Sequence, residues 1–173
     1  MNGFSALIKE VTSIAINNPS LVEITESDAE FFNSLPVSEV APALQEIFEN
    51  TTDSTTRSRA FDALLKLKEF DKVQFLVELF DRTSDGWPAA CCRHLSEFRD
   101  RRAITKLCDV LLHDSDPDVR YIAAESLAIS GDHTAVEVLE YAQAHDTGKD
   151  YEGFRVADMA RQALEQIHAR SSL

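Results

Sequence analysis

Four acidic side chains between positions 114 and 125 have the spacing of a calcium-binding loop. They occupy positions 1, 3, 5 and 12 of such a loop and are Asp114, Asp116, Asp118 and Glu125. Position 6 of a calcium loop needs glycine for its sharp turn, whereas this chain has Val119 there. Pro117 suits the first turn of a helix, where its missing N–H costs nothing. The stretch therefore favours a capped helix over a calcium site.

The three cysteines and five histidines form neither a catalytic nor a metal-binding pattern. Cys91 and Cys92 are adjacent and Cys108 stands apart, which matches neither a disulfide framework nor a zinc site. His94 follows Cys92 by two positions, and residues two apart on a helix do not face each other. The sequence predicts buried, inert thiols, no catalytic residue, no metal ion and no cofactor.

The net charge of −13 is distributed unevenly over the 173 residues. Residues 1–56 and 107–173 contribute −8 each, whereas residues 57–106 contribute +3. Acidic surfaces repel phosphate, so a protein with a basic surface is a better partner than nucleic acid. The basic run RDRRAITK (99–106) is too small to reverse this expectation, and its flanking acids are expected to pair with it. The alternative is that the negative charge only keeps the protein soluble and does not attract a partner, and this alternative stays open.

Apolar runs in the chain are far shorter than the roughly 18 residues that a membrane helix needs. The first residues, MNGFSALIKEVTSIAINN, lack a basic segment before their apolar residues and read as an amphipathic helix rather than a signal peptide. We therefore expect a cytoplasmic protein that does not engage a membrane.

Internal repeats organise the elements that must position these residues. The segment that begins at Val119 resembles the one that begins at Trp87, 32 residues earlier. A further copy lies 63 residues before the Val119 segment, and another lies 37 residues after it. Leu127 then falls on three other leucines, which are Leu64, Leu95 and Leu164. The longer downstream offset places its extra residues in HDTGKDYEG, a plausible longer loop.

Each repeat is predicted to be a pair of helices. In the best one, Asp116 is a good N-cap and Gly131 ends the second helix as a C′ residue. By the same logic, helices are expected near 3–17, 26–34, 38–50, 55–68, 71–82, 87–98, 101–113, 117–130, 133–145 and 153–168. No run of residues predicts strands.

The stretch DSDPDVRYIAAESLAISGDHTA (114–135) resembles a HEAT repeat, and most closely the short HEAT-like repeats of bilin lyase subunits and many bacterial proteins. The resemblance implies that Asp116 and Arg120 make polar contacts between neighbouring repeats. Of the residues aligned with Arg120 in the other repeats, only Arg57 is also an arginine, so a continuous series of such contacts is not expected. HEAT-like di-iron hydroxylases carry His-Glu dipeptides, and this chain has none.

Stacked helix pairs predict an all-α fold, a short right-handed α-solenoid of antiparallel pairs with about 8–10 helices. We expect one domain over residues 1–173, with atypical capping helices in 1–36, helix-pair repeats in 37–168 and a frayed tail in 169–173.

In HEAT-like solenoids the outward stripe of the second helices lines the concave surface, where partners bind. Trp87 reads either as a packing residue at a helix start or as an exposed contact residue. The predicted partner-binding residues are Asp62, Trp87, Arg93, Glu97, Tyr121, Glu125, Asp158 and Gln162. A merely solvated face is the alternative.

These observations favour a non-catalytic module for binding another protein. It would be an acidic adaptor or a stoichiometric inhibitor, for example a bacterial immunity-type protein that neutralises a basic toxin. One alternative, implied by the repeat type alone, is a bilin-lyase-like subunit or chaperone acting on phycobiliproteins. Another is a structural component of a larger assembly.

Overall fold

A computed structural model of the chain describes residues 3–18, 23–82 and 87–172. Within these ranges the chain forms ten α-helices: α1 Gly3–Ile16, α2 Glu26–Asn33, α3 Val37–Asn50, α4 Ser54–Lys66, α5 Lys72–Arg82, α6 Trp87–Leu95, α7 Arg101–His113, α8 Pro117–Ser130, α9 Val136–His145 and α10 Val156–Ser171. A 3-10 turn at His133–Ala135 precedes α9. The described residues contain no strand beyond one isolated bridge, between Lys149 and Arg155. The all-α prediction is confirmed.

The chain divides into two compact units, Met1–Lys72 and Val73–Leu173. The single domain expected over residues 1–173 stays a prediction.

In the first unit, α1 and α4 pack against α3, and α2 packs against α4. The buried guanidinium of Arg59 donates from Nη1 to the carbonyl oxygens of Ile16 and Asn18, at 3.3 and 3.1 Å. These bonds serve carbonyls that the end of α1 leaves without helical partners. Asn33 similarly joins the end of α2 to the carbonyl of Lys66 and the N–H of Lys68. Polar side chains thus fix both N-terminal helices against α4.

In the second unit, α8 is the central helix. It packs against α6, α7 and α10, and α9 packs against α10. The core of this unit consists of apolar side chains with almost no exposure, including Leu95, Leu107, Leu111, Leu127, Leu139 and Ile167. Because aligned leucines fall in this core, the repeat register read from the sequence is correct here.

Lys106 links α5 to α7 in the same unit. Its ammonium pairs with Asp81 and lies 4.6 Å from the centre of the Phe80 ring. Lys106 belongs to the basic run at 99–106, and Arg102 of that run pairs with Asp100 at 2.9 Å. The expectation that flanking acids pair with this run is confirmed for Lys106, whose ammonium also lies 3.5 Å from the carboxylate of Asp109.

Gly131 has a different role from the one expected. It is the C-cap of α8 but has a φ of −62°, not the left-handed conformation of a C′ glycine. A Cβ at this position would lie 2.5 Å from the Leu127 carbonyl oxygen and 3.1 Å from Cδ1 of Ile167. A side chain at position 131 would therefore collide first with the last turn of α8 itself, and it would also crowd Ile167 of α10.

Helix α10 continues to Ser171, and residue 173 lies outside the described residues. The frayed tail expected over 169–173 stays a prediction. Arg170 donates from Nη1 to the Ala128 carbonyl at 2.6 Å and from Nη2 to the Gly131 carbonyl at 2.8 Å. These bonds satisfy carbonyls at the end of α8 and hold the last turn of α10 in place.

Candidate functional site

A cleft of about 200 Å³ opens in the second unit between α6, α8 and the connection at 146–155 that joins α9 to α10. Its lining combines aromatic and charged side chains: Arg93, Asp118, Tyr121, Ile122, Glu125, Asp150, Tyr151, Glu152 and Phe154. Four carboxylates face one guanidinium among these residues, so the cleft is acidic.

Helix α8 supplies one wall. Asp116 begins the helix as its N-cap, with its carboxylate accepting from the Asp118 N–H at 2.9 Å, and Pro117 follows in the first turn. Residues three and four apart on a helix are neighbours, so Asp118, Tyr121 and Glu125 share a face. The predicted capped helix is confirmed, and this cap turns three side chains of α8 toward the cleft.

Arg93 reaches the cleft from α6. The hydroxyl of Ser126 on α8 donates to the Cys92 carbonyl on α6 at 2.9 Å, within the core. A buried hydroxyl needs such a partner, so this bond also fixes how the two helices meet. The position of Arg93 relative to Glu125 is thereby set by the core.

The loop 146–155 is held by its own polar groups. The Asp150 carboxylate accepts from the N–H groups of Glu152 and Phe154, at 3.0 and 2.8 Å. The Asp150 N–H donates to the Phe154 carbonyl at 2.9 Å, and Gly153 takes a φ of 92°, which side chains with a Cβ rarely adopt. Residues 150–154 therefore form a turn that is closed by its own hydrogen bonds.

Two contacts attach this loop to α8. Arg120 donates from Nε and Nη2 to the Asp146 carboxylate, at 2.8 and 3.0 Å, and this pair is largely buried. The Tyr151 N–H donates to the Asp118 carboxylate at 2.6 Å. A Cβ on Gly148 would collide with Nη2 of Arg120 and lie 2.9 Å from the Asp146 carboxylate, so the Arg120–Asp146 pair needs glycine there. The resemblance placed polar contacts between neighbouring repeats at Asp116 and Arg120. Arg120 makes one, with Asp146 as its acid.

The loop brings aromatic rings beside Tyr121. The rings of Tyr121 and Phe154 have centroids 6.4 Å apart. Tyr151 is 84% exposed and Phe154 is 55% exposed. Aromatic side chains lose favourable free energy when they stay in water, so this exposure is not explained by packing within the unit.

The carboxylates shape the potential around these rings. Partial burial, and then the charges of Glu125, Asp150 and Glu152, raise the pKa of the Tyr121 phenol. A hydrogen bond to Glu152 at 3.1 Å, and then the charges of Glu152, Asp150 and Asp118, raise the pKa of the Tyr151 phenol. Both phenols report a negative potential in the cleft, which favours a cation there.

The predicted partner-binding residues fall in several places. Arg93, Tyr121 and Glu125 line the cleft. Glu97 lies just beyond α6 and accepts from His94 at 2.8 Å if that ring nitrogen is protonated. The other predicted residues do not line the cleft: Asp158 and Gln162 are exposed on α10, Trp87 is half-buried at the start of α6, and Asp62 is half-buried on α4 in the first unit.

Sequence reasoning missed the contribution of the loop. The sequence assigns Asp150, Tyr151 and Glu152 only to a longer connection and places Phe154 in the helix expected near 153–168, whereas α10 begins at Val156. The available signal was the offset of 37 instead of 32 together with two aromatic residues flanking Gly153. Aromatic residues in an otherwise polar loop are a sign of a contact surface.

The alternatives for metal and thiol chemistry gain no support. Among the residues that the structure describes, no group of three or more His, Cys, Asp or Glu side chains could hold a metal ion. Cys91 and Cys92 are buried, as predicted, and burial raises the pKa of each thiol to about 12. Burial likewise raises the pKa of Cys108 to about 11. These thiols are protonated at neutral pH and therefore poor nucleophiles.

Comparisons with known proteins identify the repeats. Residues 87–152 match the family model described as HEAT repeats. These residues form HEAT repeats. The match spans α6 to α9 and most of the loop, and so includes every cleft residue except Phe154. No curated protein and no solved structure matches the chain. HEAT repeats generally mediate protein–protein interaction. Within the described ranges, none of the helices has the length and apolar character that crossing a membrane requires.

Proposed function

We propose that this chain is a non-catalytic protein-binding module whose cleft holds a basic segment of another protein. The observation that carries the proposal is the exposure of Tyr151 and Phe154 beside Tyr121, in a cleft with an excess of carboxylates. Aromatic residues are enriched in the energetically dominant parts of interfaces. Acidic surroundings favour a basic partner and accelerate its encounter.

An adaptor and a stoichiometric inhibitor of a basic protein both need this kind of site. An immunity-type protein that neutralises a basic toxin is one form of the second. The proposed partner surface is narrower than the stripe expected from the sequence, because the loop replaces Asp158 and Gln162 as the neighbour of Tyr121. The bilin-lyase alternative stays a hypothesis without an observation among the described residues that favours it, and the cytoplasmic location stays a prediction.

The test compares two charge reversals on exposed glutamates. Wild-type protein, Glu125→Lys and Glu140→Lys would each be used to capture partners from extracts of the source cells at low and at high salt. Glu125 lines the cleft, whereas Glu140 lies on the exposed face of α9 outside it. We expect a stoichiometric protein partner with the wild type and with Glu140→Lys at low salt, weaker recovery at high salt, and at least tenfold less with Glu125→Lys.

Recovery of no stoichiometric protein with any of the three would contradict the binding function. Equal recovery with all three would show that the partner binds elsewhere. Circular dichroism of the two variants controls for folding, since both substitutions are at exposed positions and should leave the helix content unchanged.

A further inference from the structure

The cleft has a composition that suits one particular kind of side chain. This inference rests on the proposed function and names the group that the cleft would accept. Its aromatic wall is formed by Tyr121, Tyr151 and Phe154, with the rings of Tyr121 and Phe154 6.4 Å apart. The faces of aromatic rings attract cations that lie within about 6 Å of the ring centre. The rings alone would accept an apolar group as well, so the charges decide between the two.

The carboxylates of the cleft accept different numbers of hydrogen bonds from the protein itself. Asp150 accepts two N–H groups of its own loop, and Asp118 accepts the Tyr151 N–H. Among the described residues, Glu152 accepts only the phenol of Tyr151, and Glu125 is exposed. Glu125 and Glu152 therefore have the most capacity to bind an added donor.

Among the described residues of the lining, Arg93 is the only cation, and it does not balance the four carboxylates. It is exposed and comes from α6, whereas the three rings belong to α8 and the loop. A cation from a partner would still meet a net negative cleft.

We propose that the cleft accepts an arginine side chain of the partner, with its guanidinium against the rings of Tyr121, Tyr151 and Phe154 and its charge facing Glu125 and Glu152. Arginine is favoured over lysine because a planar guanidinium stacks on aromatic faces and gives two parallel bonds to one carboxylate. An ammonium is more strongly hydrated and loses more on entering the cleft. A cleft of about 200 Å³ has room for one such side chain rather than for a folded element.

The experiment titrates isotope-labelled full-length protein with Nα-acetyl-L-argininamide and follows the backbone amide resonances by NMR. The matched probe is Nα-acetyl-L-citrullinamide, which has nearly the same shape and no charge. The third probe is the lysine analogue. All titrations run to concentrations on the order of 10 mM at constant ionic strength, because a single side chain is expected to bind only in the millimolar range.

We expect saturable shifts for the amides of residues 150–154 and around Glu125 with the arginine probe, and at least tenfold weaker binding of citrulline. The lysine probe should bind severalfold more weakly than arginine. Absence of saturable shifts, or equal binding of citrulline, would overturn the proposal. Equal binding of lysine would overturn the choice of arginine.

Two tyrosine variants locate the site. Tyr151→Ala removes a wall of the cleft, and Tyr141→Ala removes an exposed tyrosine on α9 that does not line it. The arginine shifts should disappear in the first variant and persist in the second. Persistence of the shifts in Tyr151→Ala would overturn the placement between the rings.

This outcome is separable from that of the proposed function. If the arginine probe fails while Glu125→Lys still abolishes capture of the partner, the cleft binds a protein through another group. If the probe binds but no partner is captured, the cation site stands and the binding function does not.

Discussion

The turn at 114–116 and the loop at 146–155 both connect the two helices of a pair, and they begin in the same way. Asp114 is the C-cap of α7, and its carboxylate accepts the Asp116 N–H at 2.8 Å. Asp146 is the C-cap of α9, and its carboxylate accepts the Gly148 N–H at 2.7 Å. The two aspartates are 32 residues apart, which is one of the repeat offsets. After this shared start, the turn enters α8 within three residues, whereas the loop makes a further closed turn before α10.

Arg120 contacts both connections but uses them differently. It donates from Nη1 to the Asp114 carbonyl at 2.9 Å, and from Nε and Nη2 to the Asp146 carboxylate. In the first unit, Arg57 repeats the first contact, from Nη2 to the Thr51 carbonyl at 2.6 Å. The offset of 63 places threonine, at position 83, where Asp146 would be. The backbone contact therefore belongs to the repeat, whereas the ion pair is specific to the loop that carries the cleft aromatics.

The largest loss of stability is expected when α8, which contacts both connections, loses its packing in the core. Leu127 of α8 is fully buried, so Leu127→Asp places a carboxylate among apolar side chains and should cost about 4 kcal/mol or more of unfolding free energy. Urea unfolding followed by circular dichroism measures this loss. Ile129→Asp is the control, because Ile129 lies on the same helix and is 58% exposed. Similar midpoints for the two variants would mean that Leu127 is not in the core.

An intermediate effect should separate the two aspartates. Asp146→Asn weakens the bonds to Arg120 and should cost about 2 kcal/mol, whereas Asp114→Asn perturbs one backbone contact and should cost less than about 1 kcal/mol. Unfolding of both variants under the same conditions measures the difference. Equal losses would show that the ion pair with Arg120 adds nothing to the shared backbone contact.

The pH dependence of the same variant gives a second readout. Burial raises the pKa of Asp146, but the hydrogen bonds from Arg120 and Gly148 and the charge of Arg120 outweigh it, and the net shift is downward. Asp146 therefore stabilises the fold fully above the carboxyl's ordinary pKa, and this contribution is lost as pH falls below that value. Hydrogen bonds from Thr56, Arg102 and Thr134 also lower the pKa of Asp53, Asp100 and Asp132. Subtracting the profile of Asp146→Asn from that of the wild type isolates the contribution of Asp146.

The sequence predicted the turn well and the loop poorly, for a physical reason. The turn depends on local chemistry that two adjacent residues specify, the N-cap Asp116 and Pro117 after it. The loop depends on Arg120, which lies 26 residues before Asp146, and on the closure at Gly153. Repeat alignment located the extra residues but could not place Tyr151 and Phe154 next to Tyr121. Likewise it identified Gly131 at a helix end, while the crowding of that position by Ile167 is visible only once α10 is packed.

The smallest effect is a gain in stability at the end of the loop. Helix α8 has the Asp116 cap, but the N-cap of α10 is Arg155, which makes no side-chain capping bond. Its cationic side chain also lies at the positive end of the helix dipole. Asp158 is three residues further on, so Arg155→Thr would create the same Thr-x-x-Asp capping box that Thr25 and Asp28 form at the start of α2.

We expect Arg155→Thr to raise the unfolding free energy by about 0.5–1 kcal/mol. Arg155→Ala is the control, because it removes the charge at the helix start without supplying a cap and should give less than half of that gain. A thermal unfolding midpoint for Arg155→Thr no higher than that of Arg155→Ala would show that the capping box does not form. Because Asp150, Gly153 and the Arg120–Asp146 pair are untouched, the arginine titration should be unchanged. Capping of α10 and the conformation of the cleft would then be independent.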